Sequence, residues 1–309
     1  MGVAALCDWT CGTLVSESMF FILGFPRSGT TLLRLMLTSH PDIVIPPECS
    51  FITWLAEDYD DWTKSDCFSS RKDNFINALS ESRKFETWQL SSVQLGKAIE
   101  SHSPTNYAEL VMLVYRLFSI SMGKDKALLG DKNNVYLSQI ERILNHFPRA
   151  KFVWITRDVR DVCASLKSIR SVARDNGYRP QVDSNLVNEA TKWSAQNLAM
   201  VELARDLGES QVMPLTYEGL VTKPIPTITK ALNFLDCGWD PRVMDFHVMN
   251  AHLTLEPKAT LAWKQMTLEP VSTSSVGRWR DFLTSSEVRE ITGSAMSAMA
   301  ELGYSESST

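Results

Sequence analysis

One segment near the start of the chain, FFILGFPRSGTTLLRLML at residues 20–37, constrains the fold more than any other. Its first residues, from Phe20 to Gly24, form a short apolar run that predicts a buried strand. A turn from Phe25 to Gly29 follows, and the apolar residues between Thr30 and Ser39 then recur at helical spacing. A strand, a glycine-bearing turn and a helix in this order are typical of an α/β fold.

The same alternation continues along the chain. Apolar runs at residues 43–45, 151–156 and 211–216 predict further strands, and residues 135–146, 158–170 and 185–207 are predicted to be helical. Thr284 and Glu287 form a capping box that predicts a last helix running to about Leu302. We therefore expect a P-loop-like parallel β-sheet flanked by helices.

Two other parts of the chain complete the predicted organisation. Residues 51–126 are mostly helix-forming and predict a helical insertion that covers one face of the sheet. We expect this insertion to form the acceptor side of the binding site, where a second substrate would bind. Residues 1–18 form an N-terminal extension, and residues 19–309 are expected to make one domain.

The turn after the first strand has the spacing of a phosphate-binding loop. The glycines at 24 and 29 fit GxxxxG, but Thr30 stands where nucleotide triphosphatases carry lysine, so ATP is not the expected ligand. Backbone amides at a helix start attract anions, and Arg27 adds a planar fork of donors. The simpler alternative is a tight connection without a ligand. The candidate ligand-binding residues of this loop are Pro26, Arg27, Ser28, Gly29, Thr30 and Thr31.

A second candidate anion site follows the apolar run KFVWIT at residues 151–156. Arg157 ends this strand and Ser165 comes eight residues later, so both side chains could flank one phosphate. Strand ends in open α/β sheets line the ligand crevice. The alternative is a solvated helix face on which the charges pair with their neighbours.

Composition excludes several function classes. The net charge of −5 argues against a surface built for nucleic acid. Six scattered cysteines lack the paired spacing of a zinc site, and the acidic residues at 57–61 lack the glycine of a calcium loop, so no metal is expected. The longest apolar run near the start is too short to span a bilayer, so we expect a cytoplasmic protein without membrane insertion.

FFILGFPRSGTTLLRLML resembles the phosphosulfate loop of sulfotransferases, above all the arginine-bearing variant of the tyrosylprotein and carbohydrate enzymes, and HPDIVIPPE continues the likeness. The resemblance spans Met19 to Tyr304 and is thin between Phe51 and Lys126. It implies a sulfotransferase that uses 3'-phosphoadenosine 5'-phosphosulfate (PAPS) and releases the bisphosphate PAP.

The resemblance also implies roles for individual residues. Glu48 corresponds to the catalytic glutamate that takes the proton of the acceptor hydroxyl, although a salt bridge to Arg27 is the alternative. Arg27 and Lys132 would stabilise the charge that develops on the leaving group. Arg157 and Ser165 would bind the 3'-phosphate. Tyr217 resembles a nucleotide-contacting tyrosine, and Arg278 resembles a late basic residue over the phosphates, with a surface pair to Asp281 as its alternative.

Two rival functions stay open at this point. A P-loop kinase for small molecules predicts the lysine that Thr30 replaces. A non-catalytic nucleotide sensor would keep Arg27, Arg157 and Ser165 but would need neither Glu48 nor Lys132. The expected partner is a hydroxyl-bearing acceptor, for which we favour a small molecule, and a homodimer is possible.

Overall fold

A computed structural model describes residues 19–62, 68–170, 177–178 and 180–305 of the chain. The predicted extension at residues 1–18 lies outside the described residues. None of the helices in the described part of the chain combines the length and the apolar character needed to cross a bilayer.

Five strands form a parallel sheet with the order β2-β3-β1-β4-β5. The strands are β1 (Phe20–Leu23), β2 (Ile43–Val44), β3 (Leu128–Lys132), β4 (Lys151–Thr156) and β5 (Val212–Thr216). Val44 pairs with Leu129 in the β2–β3 register, and Thr156 pairs with Thr216 where β4 and β5 end together.

Helices account for most of the remaining described residues. They are α1 (Thr30–Thr38), α2 (Phe51–Trp54), α3 (Ala56–Tyr59), α4 (Phe68–Glu81), α5 (Ser92–His102), α6 (Tyr107–Ser121), α7 (Ile140–His146), α8 (Val159–Ile169), α9 (Leu186–Leu207), α10 (Tyr217–Thr222), α11 (Pro224–Phe234), α12 (Phe246–Leu253), α13 (Trp279–Phe282) and α14 (Ser285–Glu301). Short 3₁₀ turns occupy Phe85–Trp88, Asn134–Ser138, Pro241–Asp245, Lys258–Trp263 and Gln265–Leu268. The predicted α/β fold with a parallel sheet flanked by helices is confirmed.

The chain divides into two compact units. Among the described residues, the first comprises residues 19–21 with the described part of 40–151, and the second comprises residues 22–39 with the described part of 152–305. The prediction of one domain over residues 19–309 stays a prediction.

The first unit contains the predicted helical insertion, which α2 to α6 make up. Its core is aromatic: the ring of Trp88 meets that of Tyr115 edge-on at a centroid distance of 4.9 Å, and Phe51 lies 5.8 Å from Trp88. The buried Trp88 indole also donates a hydrogen bond to the Pro47 carbonyl at 2.9 Å. The insertion therefore fixes the backbone next to Glu48.

A buried carboxylate, Asp131, lies in the same unit on β3. It accepts hydrogen bonds from the Lys132 backbone amide at 2.6 Å and from the Tyr136 hydroxyl. Burial raises the pKa of Asp131 from 3.8 to about 6, although these hydrogen bonds oppose the shift. Asp131 thus anchors the backbone of the residue that follows it, Lys132.

The second unit contains α1, β4 and β5. Close packing requires glycine at position 24, since a Cβ atom there would lie 2.7 Å from the Ile155 carbonyl oxygen. Arg34 on α1 is buried and pairs with Glu256 at 2.6 Å, and Lys264 binds the other Glu256 oxygen at 2.5 Å. This network ties α1 to the 3₁₀ turn that contains Trp263.

Most elements agree with the sequence predictions, but one helix does not. Residues 135–146 are a 3₁₀ turn followed by α7, with a break at Gln139, where φ is −136°. The Asn133 side chain caps the turn by accepting from the Val135 amide at 3.3 Å, and Tyr136 is held by Asp131. These local contacts favour the turn over a continuous helix.

The raised pKa of Asp131 predicts how pH affects stability. The folded protein holds this proton more tightly than the unfolded chain, so the group's contribution is most favourable below pH 4 and is lost as pH rises through 6. Relative to Asp131→Asn, the wild-type free energy of unfolding is expected to fall by about 2 kcal/mol between pH 4 and pH 6. Urea denaturation at several pH values measures this difference. The exposed Asp125→Asn variant is the control, and a wild-type-to-Asp131→Asn difference that does not vary with pH would contradict the prediction.

Candidate active site

The loop between β1 and α1 has the backbone of an anion-binding turn. Arg27 and Gly29 adopt left-handed conformations with φ of 72° and 91°, and the Ser28 amide donates to the Phe25 carbonyl at 3.1 Å. A Cβ atom at position 29 would lie 2.5 Å from the Tyr217 ring, so this position requires glycine. Tyr217 therefore packs directly against the loop.

Ser28 carries the first observation that points to a ligand. Its hydroxyl is buried and has no hydrogen-bond partner among the described residues. An unsatisfied buried hydroxyl is costly, and a ligand oxygen would remove that cost. Thr30, also buried, starts α1 directly after Gly29, and Pro26 and Thr31 are partly exposed beside it.

Arg27 makes contacts that the sequence did not predict. Its Nε donates to the Ser165 hydroxyl at 2.9 Å, and its Nη2 donates to the Trp263 carbonyl at 3.0 Å. Arg27 and Ser165 were expected at different phosphates, yet their side chains touch. Trp263 had no motif around it that could have identified it.

Arg157, at the end of β4, connects several parts of this site. Its guanidinium stacks over the Tyr217 ring at 4.2 Å, and its Nη1 and Nη2 donate to the carbonyls of Arg27 at 3.0 Å and Ser275 at 2.5 Å. Arg157 is only 6% exposed, and its Nε has no partner within the described part of the chain. Like the Ser28 hydroxyl, it is a buried donor suited to an anion.

Arg278 lies in the segment before α13, also in the second unit. Its guanidinium stacks over the Phe282 ring at 4.1 Å. The backbone on either side of Arg278 is held by Asp161, which accepts from the amides of Gly277 at 2.8 Å and Trp279 at 2.9 Å. Burial raises the pKa of Asp161 above its ordinary value.

Glu48 and Lys132 form a pair in the first unit. Glu48 follows β2, and Lys132 is the last residue of β3; the parallel register of these strands brings their ends side by side. The Lys132 ammonium contacts Glu48 Oε1, and Lys132 is 1% exposed. The Glu48 side chain keeps 13% of its surface exposed.

Lys84 is a further partner of Glu48 that sequence reasoning missed. Its ammonium lies 2.7 Å from Glu48 Oε2, so each carboxylate oxygen faces a different lysine. Lys84 precedes the 3₁₀ turn at Phe85–Trp88 and has a φ of 74°, which is uncommon for a side chain other than glycine. No motif surrounds it, because its position depends on how the insertion packs.

The described residues offer no metal site. Within residues 19–62, 68–170, 177–178 and 180–305, no group of three or more His, Cys, Asp or Glu side chains is arranged to hold a metal ion.

Comparison with known proteins identifies relatives along most of the chain. The protein-tyrosine sulfotransferase of Drosophila melanogaster is 24% identical over 93% of this chain and 51% of its own length. Protein-tyrosine sulfotransferase A of Caenorhabditis elegans is 27% identical over 74% of this chain and 52% of its own length. The chain thus spans about half the length of these two curated relatives.

A solved structure and a family model agree with these relatives. The sulfotransferase domain from the curacin biosynthetic pathway has a TM-score of 0.59 at 18% identity and covers 94% of this chain and 98% of that domain, so the two share a fold. Residues 20–241 match the family model described as "Sulfotransferase family". The protein, whose turn at residues 25–29, strand-end arginine and Glu48–Lys132 pair all lie within that match, therefore belongs to the sulfotransferase family.

Proposed function

We propose that this protein transfers a sulfuryl group from PAPS to a hydroxyl acceptor by in-line displacement. The observation that carries the proposal is the pair of buried donors without partners in the described residues, the Ser28 hydroxyl and the Arg157 Nε. Both belong to motifs that resemble the phosphate-binding motifs of sulfotransferases. A nucleotide with phosphate at both its 5' and 3' positions would supply acceptors for both donors.

The second unit would hold this nucleotide. In the proposal, Ser28, Thr30, Thr31 and the amides at the start of α1 bind the 5'-phosphate, where the helix dipole favours negative charge. Arg157 and Ser165 bind the 3'-phosphate, and Arg278 approaches it from the segment before α13. In this arrangement Arg157 keeps its Nη bonds to the carbonyls of Arg27 and Ser275 and offers its Nε, which has no partner among the described residues, to the phosphate.

Glu48 and Lys132 would act on the acceptor and on the leaving group. Glu48 accepts the proton of the acceptor hydroxyl while the hydroxyl oxygen forms a bond to sulfur and the bond between sulfur and the bridging phosphate oxygen breaks. PAP leaves with the bridging oxygen, and Lys132, with Arg27, stabilises the negative charge that develops there. Catalysis then depends on positioning and fixed charge and requires no redox partner.

The two rivals fit the chain less well. A P-loop kinase would need the loop lysine that Thr30 replaces. A nucleotide sensor would have no use for a buried lysine paired with a partly exposed glutamate. Cytoplasmic location and a homodimer stay predictions.

Two classes of acceptor remain candidates. The sequence favours a small-molecule hydroxyl, whereas the names of the relatives favour a protein tyrosine. Both present a hydroxyl to the same donor apparatus, and both are substrates in the test that follows.

The direct test offers PAPS and a panel of acceptors to the purified protein. Small alcohols, phenols, sugars and tyrosine-containing peptides are incubated separately, and mass spectrometry measures the gain of one sulfuryl group. We expect at least one class to be sulfated with PAPS and none to be phosphorylated when ATP replaces it. Phosphorylation with ATP, or no product in any class, would refute the proposal.

Glu48→Gln tests the role of the proposed base. The amide keeps the shape of the side chain but cannot accept the proton, so turnover is expected to fall by about 10²- to 10⁴-fold. Affinity for PAP, measured by calorimetry, should stay as in the wild type. Glu57→Gln is the matched control, because Glu57 is an exposed side chain of the same unit. Normal turnover in Glu48→Gln would exclude this glutamate as the base.

A further inference from the structure

A buried carboxylate on α8, Asp161, binds the backbone of a loop that contains Arg278. Arg278 is the one residue of this loop that has a role in the proposed mechanism. We call residues 275–279 the 275–279 loop. The Asp161 side chain is buried, with 1% of its surface exposed. Each of its oxygens accepts a hydrogen bond from one backbone amide of this loop: Oδ2 from Gly277 at 2.8 Å and Oδ1 from Trp279 at 2.9 Å. Two amides separated by one residue are therefore fixed by a single carboxylate.

Residues just before Asp161 in the chain also contact this loop. Arg157 donates to the Ser275 carbonyl at 2.5 Å, and the Arg160 guanidinium stacks over the Trp279 ring at 4.5 Å. Arg160 is itself held by Asp158, at 2.6 Å. Residues 157–161 thus contact the 275–279 loop at both of its ends and in between.

The backbone of the loop explains why one carboxylate can hold two amides. Gly277 has a φ of 71° and Arg278 a φ of −60°. Adjacent residues with φ of opposite sign point successive N–H groups into one concavity, which binds anionic oxygens. Asp161 occupies this concavity, and Arg278 lies between the two amides that it holds.

We propose that Asp161 is a positioning residue for nucleotide binding: it holds the 275–279 loop, and with it Arg278, in place for the 3'-phosphate. This inference rests on the proposed function. Asp161 carries negative charge and lies 4.0 Å from Arg157, so it cannot itself be a favourable phosphate ligand. Its contribution comes through the backbone that it holds.

Charge and position make opposite predictions for Asp161→Asn. If only charge mattered, removing a carboxylate near Arg157 would tighten the binding of a phosphate. If Asp161 positions the loop, the substitution replaces one carboxylate acceptor by an amide N–H₂ that cannot accept, and the loop loosens. The sign of the change therefore separates the two roles.

The test is calorimetry with PAP and with AMP, which lacks the 3'-phosphate. We expect Asp161→Asn to lower the affinity for PAP about tenfold, which is the effect of losing about one charge-assisted hydrogen bond. The affinity for AMP should not change. Arg278→Met should lose affinity for PAP in the same selective way, and the double variant should be no weaker than Arg278→Met alone. Asp281→Asn is the control, because it removes an exposed carboxylate a few residues away.

A second variant disturbs the loop while leaving the sequence of α8 unchanged, so a folding defect of α8 cannot account for its effect. Gly277→Ala forces a side chain into a positive-φ position and so disturbs the loop without changing Asp161. It should reproduce the selective loss for PAP. Unchanged or tighter PAP binding in Asp161→Asn, or an equal loss for AMP, would overturn the inference. A wild-type protein that does not prefer PAP to AMP would instead overturn the proposed function, and the inference with it.

Discussion

The guanidinium of Arg157 is the contact on which the arrangement of the second unit depends. It stands at the end of β4, stacks on Tyr217, and donates to the backbone of both the turn between β1 and α1 and the 275–279 loop. A buried cation needs acceptors, and the protein supplies carbonyls from two segments that are far apart in sequence. Satisfying one side chain therefore fixes the positions of both segments. Its Nε, which has no partner among the described residues, is a group that an incoming phosphate could use.

In the first unit, a partly exposed glutamate lies next to a buried lysine. The parallel register of β2 and β3 brings Glu48 beside Lys132, and Asp131 and Trp88 hold the backbone on each side of that pair. Lys84 faces the second oxygen of Glu48.

Local patterns in the sequence predicted the elements that carry the site. The apolar run KFVWIT, the glycine-bearing turn after β1 and the capping box at Thr284 each depend on neighbours in the chain, and each is found where the sequence predicts it. The residues that sequence reasoning missed act over long separations. Lys84 meets Glu48, Trp263 meets Arg27 and Asp161 meets Gly277 only because the chain folds back, and no periodicity encodes such contacts. The broken helix at Gln139 has a similar cause, since the contact of Tyr136 with Asp131 outweighs helical propensity.

The central claim is that Arg157 binds the 3'-phosphate through the planar fork of its guanidinium as well as through its charge. Calorimetry of Arg157→Lys with PAP tests this directly, because lysine keeps the charge and loses the fork. The account predicts that PAP binds at least about tenfold more weakly to this variant than to the wild type, which corresponds to about 1.4 kcal/mol. Equal affinity for PAP in the two proteins would contradict it.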